Sequence, residues 1–425
     1  MQKGVAVSEH PIINWTEAGK VCSALWRSES GMPPPKRVVI ADDTTKADEA
    51  YRLACEGTAL LWRGDFQNAR QLLLAMSRRA DRKPRKPVLS LAEGASAVAS
   101  EAFNLHRQAQ SQRARTLAMI LIPLDSDYGI PLRRAPDMRL ACTETYGAGD
   151  GKLLMEPLAI RLSEQTTPAK SLVMSGHPSE PSVVALRELL GLVGAHEWRN
   201  KGVEIPALGV TGLGARIHPH YGVYSPVRGE YVGLVNEAPF PPTFQAPELA
   251  FDIGTGTGVL AVVLARRGVK RIVATDQDPR ALLCARENLA RLGLSAQVEV
   301  VQADLFPAGK APLIVCNPPW IPARPSSPIE HAIFDPDSRM LRGFIGGLAA
   351  HLEPGGEGWL VLSDIAEHLG LRTRDELLAA FDAAGLKVIA RMDVKPHHAK
   401  VSDVADALHA ARAAEITSLW RLAVR

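Results

Sequence analysis

The sequence predicts an α/β protein. Its C-terminal half reads as a doubly wound, seven-stranded, mostly parallel sheet, behind a separate N-terminal domain that is α/β or mainly helical. Three observations predict this. Short apolar runs alternate with helix-period segments from Leu249 onward, a glycine-rich turn joins the first run to the first helix, and residues 1–202 lack that rhythm. The boundaries that follow are an N-terminal substrate-recognition domain over 1–202, a packed connector over 203–248 and a sheet domain over 249–425.

The chain has 425 residues, room for two or three domains and a sizeable core. Hydrophobic residues at 46% and charged residues at 22% exclude the disordered and collagen-like classes. A net charge of +3 permits a polyanionic partner without demanding one. The longest apolar run, 116–124, falls short of the ~20 residues of a membrane span, and the first residues carry no charged-then-apolar leader pattern. A cytoplasmic location without a membrane partner is the resulting expectation. Five scattered cysteines form no Cys-x-x-Cys pair, which predicts buried, reduced thiols.

In the first half, 47–61 and 68–79 read as helices around a turn at 62–65. A basic stretch with two prolines, 78–86, reads as an exposed loop, 92–115 as a helix, 116–124 as a strand and 181–193 as a helix. Residues 206–247 are dense in glycine, proline and tyrosine. Apolar runs then appear at 249–254, 271–276, 298–304, 312–317, 358–364, 386–394 and 416–424. Helical patterns lie between them at 259–267, 279–292, 339–352, 374–384 and 401–414. Near-continuous apolar character fits strands covered on both faces.

The strongest local feature is Phe251-Asp-Ile-Gly-Thr-Gly-Thr-Gly258, where a strand turns into a helix. Glycines let the backbone pass close to a ligand, and a helix N-terminus offers free N–H groups. A dinucleotide-type G-x-G-x-x-G counted from Gly254 needs a glycine where Val259 stands. Asp276 closes the second strand, placed to accept hydrogen bonds from two ribose hydroxyls, and Asp304 closes the third, within reach of an adenine amine. Each aspartate alone reads equally well as a strand-end cap; their succession at successive strand ends argues for a site.

Asn317-Pro318-Pro319-Trp320 ends the fourth strand. Two prolines lack donors and cannot continue a central strand, so the chain leaves the sheet as a rigid loop at the edge where ligands bind. It supplies an amide, a fixed carbonyl and an aromatic face.

With these residues in place, the chain from about 220 to 425 resembles class I S-adenosylmethionine-dependent methyltransferases with a Rossmann-like sheet. More narrowly it resembles the group containing release-factor glutamine methyltransferases and the N-methyltransferases of rRNA, tRNA and DNA bases. The resemblance implies S-adenosyl-L-methionine as cofactor, held by Asp252, Gly254, Thr255, Gly256, Gly258, Asp276, Gln277, Asp304, Leu305 and Asn317. It also implies Asn317, Pro318, Pro319 and Trp320 as the catalytic group, with the Asn317 oxygen and Pro318 carbonyl orienting a planar nitrogen and Trp320 stacking on it. Tyrosine or phenylalanine is commoner than tryptophan at that last place.

Further segments carry less. The stretch 221–230, with Tyr224 and Arg228, resembles one that closes over the cofactor, and 334–341 follows the tetrad as a substrate-lining loop does. His397 and His398 are adjacent, point apart on a regular backbone and lack a third ligand, so no metal is expected. Arg78, Arg79, Arg82, Lys83, Arg85, Lys86, Arg107, Arg113 and Arg115 face only three acids between 78 and 119. Such a patch can track phosphates, although a solvated face looks the same. The primary expectation is N-methylation of an exocyclic amine on an RNA base, rRNA or tRNA. The alternatives are a protein glutamine N5-methyltransferase acting on a release factor or similar protein, and a silent nucleic-acid-binding module.

Overall fold

A computed structural model of the chain describes residues 11–81, 95–147, 181–209, 212–227, 229–242, 246–325, 328–396 and 408–425. It divides into two compact units, Met1–Arg85 with Ser111–His196, and Lys86–Gln110 with Glu197–Arg425.

The first unit is built on a six-stranded sheet. A hairpin of β1 (Ile12–Glu17) and β2 (Lys20–Arg27) turns through Ala18 and Gly19, both at positive φ. There follow β3 (Arg37–Ala41), α1 (Ala47–Cys55), β4 (Thr58–Trp62), α2 (Phe66–Asp81) and α3 (Ala95–Leu117). β5 (Ile120–Leu124), α4 (Arg139–Tyr146), β6 (Ser182–Ala185) and α5 (Leu186–Lys201) complete the series, and α3 and α5 each cross the division between the units. The strand order is β1-β2-β6-β5-β4-β3, with β3, β4 and β5 mutually parallel and β6 antiparallel to β5. Ile13, Trp26, Leu61, Leu121 and Val183 form its buried centre.

Several expectations are corrected here. The helix expected over 47–61 ends at Cys55, Gly57 turns the chain at φ +77, and β4 follows with all five residues buried. A short apolar run fits either period, and burial on both faces decides for a strand. The helix expected from 181 begins as β6, also fully buried, and becomes helical only at Leu186. The stretch expected as a basic loop from 78 is helical through Asp81, and its remainder, 82–86, lies outside the described residues. This unit is therefore α/β and not mainly helical.

The second unit starts with a short ribbon, β7 (Val203–Glu204) with β8 (Arg216–Ile217), and α6 (Glu230–Glu237). Seven strands follow: β9 (Leu249–Ile253), β10 (Arg271–Asp276), β11 (Val298–Gln302), β12 (Ala311–Cys316), β13 (Leu352–Ser363), β14 (Leu386–Val394) and β15 (Thr417–Val424). The helices between them are α7 (Val259–Arg266), α8 (Pro279–Arg291), α9 (Arg339–His351), α10 (Ile365–His368), α11 (Arg374–Ala383) and α12 (His409–Ala414). The sheet order is β11-β10-β9-β12-β13-β15-β14, with β15 antiparallel to both neighbours. This is the doubly wound, mostly parallel sheet the alternation predicts.

Period-2 alternation covers both faces. Val315, Trp359 and Val361 pack with Val232 of α6 and Val262 of α7 on one side. Ile314, Leu360 and Leu362 pack with Phe344 of α9 and Phe381 of α11 on the other. Local signals set the helix starts. Asp278 accepts the Arg280 amide at 2.9 Å with Pro279 in the first turn of α8, and Thr373 and Glu376 form a capping box on α11.

No helix among the described residues is long and apolar enough to cross a membrane. All five cysteines are free thiols; Cys142, Cys284 and Cys316 are buried as expected, but Cys22 is half-buried and Cys55 exposed.

Candidate active site

The sheet runs outward from β9 to β10 and β11, then returns to lay β12 on the other side of β9. Connections leaving β9 and β12 diverge, and the carboxyl ends of the strands open a crevice there. Ile253, Thr275 and Cys316 are level in the ladder, so the residues after them, Gly254, Asp276 and Asn317, emerge side by side.

Gly254, Gly256 and Gly258 hold φ of +72°, +54° and +83°, the left-handed region that favours glycine. A side chain at 254 would collide with Met340, and one at 258 would sit 3.4 Å from Ala285. At 256 a side chain would meet nothing within 4 Å, so this face of the loop is open to a ligand. The loop is held from below. Asp252, 1% exposed, accepts the Thr255 hydroxyl at 2.6 Å and the Ala261 amide at 3.1 Å, and burial raises its carboxyl to about 6.

Asp276 accepts the Gly256 amide at 3.0 Å and the Asp278 amide at 2.9 Å, while burial pushes its pKa up from the usual carboxylate value. Gln277 is exposed, its carbonyl accepting from Gln302 at 3.2 Å. Leu305 takes φ +75°, and its carbonyl accepts the Thr275 hydroxyl at 2.6 Å. Asp304 is exposed and paired with Arg339 at 2.5 Å. The structure thus brings the predicted cofactor residues to one sheet edge and adds an arginine to Asp304.

Asn317 and Trp320 are half-buried and Pro318 buried. The Trp320 indole N–H donates to Asn317 Oδ1 at 2.9 Å. Beyond the tetrad, Ile321 pairs with Phe334, and the Asp335 carboxylate accepts the Met340 and Leu341 amides, capping α9. Through Met340 this loop reaches the glycine turn.

Sequence reasoning missed the other wall of the tetrad loop. Phe103 of α3 is 2% exposed and clusters with Phe334, Ile365 and Leu369, against which Trp320 and Ile321 pack. The Arg107 guanidinium lies 4.0 Å from the Phe334 ring centre, bonds Glu330 at 3.2 Å and donates to the Arg324 carbonyl at 2.9 Å. Arg107 and Glu330 are 223 residues apart, and no local pattern pairs them.

The remaining candidates fall elsewhere. Tyr224 is half-buried against the α6–α7 cluster. Arg228, Arg82, Lys83, Arg85, Lys86, His397 and His398 lie outside the described residues. Within the basic patch, Arg79 pairs with Asp48 at 2.5 Å, Arg113 with Asp81 at 2.9 Å and Arg107 with Glu330. These three guanidiniums have carboxylate partners already, which weakens the patch as a phosphate track. Among the described residues no three histidine, cysteine or acidic side chains gather to hold a metal.

A family model described as ribosomal protein L11 methyltransferase (PrmA) matches residues 242–321. A release factor glutamine methyltransferase of Cereibacter sphaeroides is 35% identical over 159 residues, 34% of this chain and 54% of that protein. A ribosomal protein L11 methyltransferase of Pelotomaculum thermopropionicum is 38% identical over 144 residues, 33% of this chain and 39% of that protein. A Methanocaldococcus jannaschii protein named for protein N5-glutamine methyl transfer is 31% identical over 155 residues, 35% of this chain and 74% of that protein. The chain thus spans about half the length of the first of these relatives and less of the second.

Proposed function

This chain belongs to the S-adenosylmethionine-dependent methyltransferases, and from that premise we propose that it methylates the planar nitrogen of a carboxamide, the side chain of a protein glutamine. The observation that carries the reading is the position of Asn317-Pro318-Pro319-Trp320 at the end of β12, level with the glycine turn after β9. Two findings favour protein over the RNA base expected from the sequence. Relatives that each match about a third of the chain are named for protein substrates, and three arginines of the basic patch are engaged by carboxylates.

The residues fit the cofactor. Gly256 leaves open space, and the half-buried Asp276 carboxylate is met by the Gly256 and Asp278 amides, neutral donors that suit it to accept ribose hydroxyls as well. Gln277, Asp304 and Leu305 would line the adenine side, Asp304 sharing its oxygens with Arg339. The cofactor supplies an electrophilic methyl group on a sulfonium that becomes a thioether.

An amide nitrogen is a poor nucleophile because its lone pair is delocalised. The Asn317 oxygen and the Pro318 carbonyl each accept one of its N–H bonds and turn the lone pair out of the amide plane. As the N–C bond forms, the nitrogen releases one proton to solvent. No strong base is required; orientation and electrostatics carry the step.

The test incubates the purified protein with methyl-labelled S-adenosylmethionine and the separated protein and RNA fractions of a strain lacking it. Asn317→Ala serves as control. Label recovered as methylglutamine in a protein band, and lost in the variant, is the expected outcome. Label in RNA that the variant loses would move the acceptor to a base amine.

A further inference from the structure

We propose that Trp320 is a positioning residue whose indole N–H fixes the flip state of the Asn317 carboxamide, beyond any stacking on the acceptor. The inference rests on the reading of Asn317 as the group that orients the methylated nitrogen.

An asparagine carboxamide has two nearly isosteric flip states, one presenting its oxygen and the other its NH2 group. Only the oxygen can accept from an amide or amine N–H; the flipped state sets donor against donor. Asn317 stands just past the end of β12, and its backbone does not choose between the two flips. The indole N–H is donor-only, and it lies 2.9 Å from Oδ1. A carbonyl oxygen has two acceptor positions, so one taken by Trp320 leaves the second for the acceptor nitrogen.

Packing makes the indole a fixed reference. Trp320 contacts the cluster on each face of the sheet and a third one built by Phe103, Phe334, Ile365 and Leu369. A ring held on three sides keeps its N–H direction, and the carboxamide follows it. Tyrosine or phenylalanine has no ring N–H to offer at this place, so tryptophan here performs a task those rings cannot.

The experiment separates the N–H from the ring. Trp320→Phe keeps an aromatic face, and replacing Trp320 with 3-benzothienylalanine keeps the bicyclic shape while sulfur takes the place of the N–H. The chain has 7 tryptophans, so the indole 15N–1H signal absent from Trp320→Phe identifies Trp320 in the cofactor-free protein. In Asn317→Ala that signal is expected to move upfield and exchange faster with solvent.

With methyl-labelled S-adenosylmethionine and the unmethylated protein fraction, both replacements are expected to lower kcat about tenfold, a barrier change of about 1.4 kcal/mol. S-adenosylmethionine affinity by calorimetry stays within about twofold, and neither replacement adds to the loss in an Asn317→Ala background. Full activity in the benzothienyl protein beside an inactive Asn317→Ala overturns this inference alone. So does a rise in kcat/KM, which would show the indole occupying the acceptor's place. An unmoved indole signal in Asn317→Ala also overturns it. Full activity in Asn317→Ala overturns the proposed function with it.

Discussion

Two strand-end acids in each sheet are held in opposite ways, while Asp304, paired with Arg339, follows the N-terminal pattern. In the N-terminal sheet, Asp43 follows β3 and Asp65 follows β4. Asp43 accepts from Asn68, the Asp65 amide and Arg133, and Asp65 accepts from Arg134 and the Gln67 amide. Asn68 and the Asp65 amide lower the pKa of Asp43, and Arg134 lowers that of Asp65. In the catalytic sheet, Asp252 and Asp276 accept backbone amides and one hydroxyl, and burial pushes both carboxyls up. Carboxylates neutralised by local arginines brace a loop. Asp252, met by neutral donors, braces the glycine turn from below, and half-buried Asp276, met by backbone amides, stays open to a neutral, hydroxyl-bearing ligand.

Topology explains why the second kind can form a site. β3, β4 and β5 are laid side by side in one direction, so successive crossovers of one hand leave toward the same face. The catalytic sheet reverses direction at β9, and the connections beside β9 and β12 part to opposite faces. Among the described residues the N-terminal sheet has no such reversal.

Three tests sharpen that contrast, beginning with the largest effect. Trp62, 2% exposed in β4, donates to the Asp65 carbonyl at 3.0 Å. Trp62→Ala should cost about 3–5 kcal/mol of stability in a denaturant melt. Calorimetric affinity for S-adenosylmethionine at low temperature should remain unchanged. A parallel loss of affinity would show that the cofactor crevice depends on the N-terminal sheet.

The second turns on pH. The folded pKa of Asp252, about 6, lies above the ~3.9 of an unfolded chain, so the native state binds this proton more tightly. The stability that the proton confers is complete below the unfolded value and is lost as pH rises through about 6. Asp252→Asn should therefore gain on the wild type by about 2 kcal/mol between pH 4 and pH 7 in paired denaturant melts. Asp65 has a lowered pKa, so its contribution is present above the unfolded value and lost as pH falls. Asp65→Asn should run the other way, and matching slopes for the two variants would erase the distinction between the sheets.

The third pairs two glycines. Gly57 at φ +77° and Gly256 at φ +54° both leave open space around a would-be side chain. Alanine at either position should cost about 1–2 kcal/mol of stability from the left-handed backbone alone. Only Gly256→Ala should also weaken S-adenosylmethionine binding measured by calorimetry, because only that face of backbone meets a ligand. Equal affinities in the two variants would remove the glycine turn from the cofactor site.

The strands and helices of the catalytic sheet were legible because their signals are local. Short apolar runs and the helical periods between them each act within a few residues. Legibility failed at 47–61 and at 181, where four or five apolar residues suit either period and only burial on both faces decides. In the site, the glycine turn and the tetrad could be read directly because glycine and proline constrain the backbone that carries them. The Asp304–Arg339 pair and the indole donation onto Asn317 could not, since side-chain direction depends on packing.

Local residue order was therefore enough to foresee the seven-stranded sheet, the glycine turn after β9 and the proline loop after β12. Tertiary structure decided which partner each charged or polar group took. It set Arg107 against Glu330 and Phe334, Arg113 against Asp81, and Phe103 beneath the tetrad loop. Backbone preference is a property of neighbours in the chain. The partner of a cation or an indole N–H is settled by distance in space, which the sequence acquires only on folding.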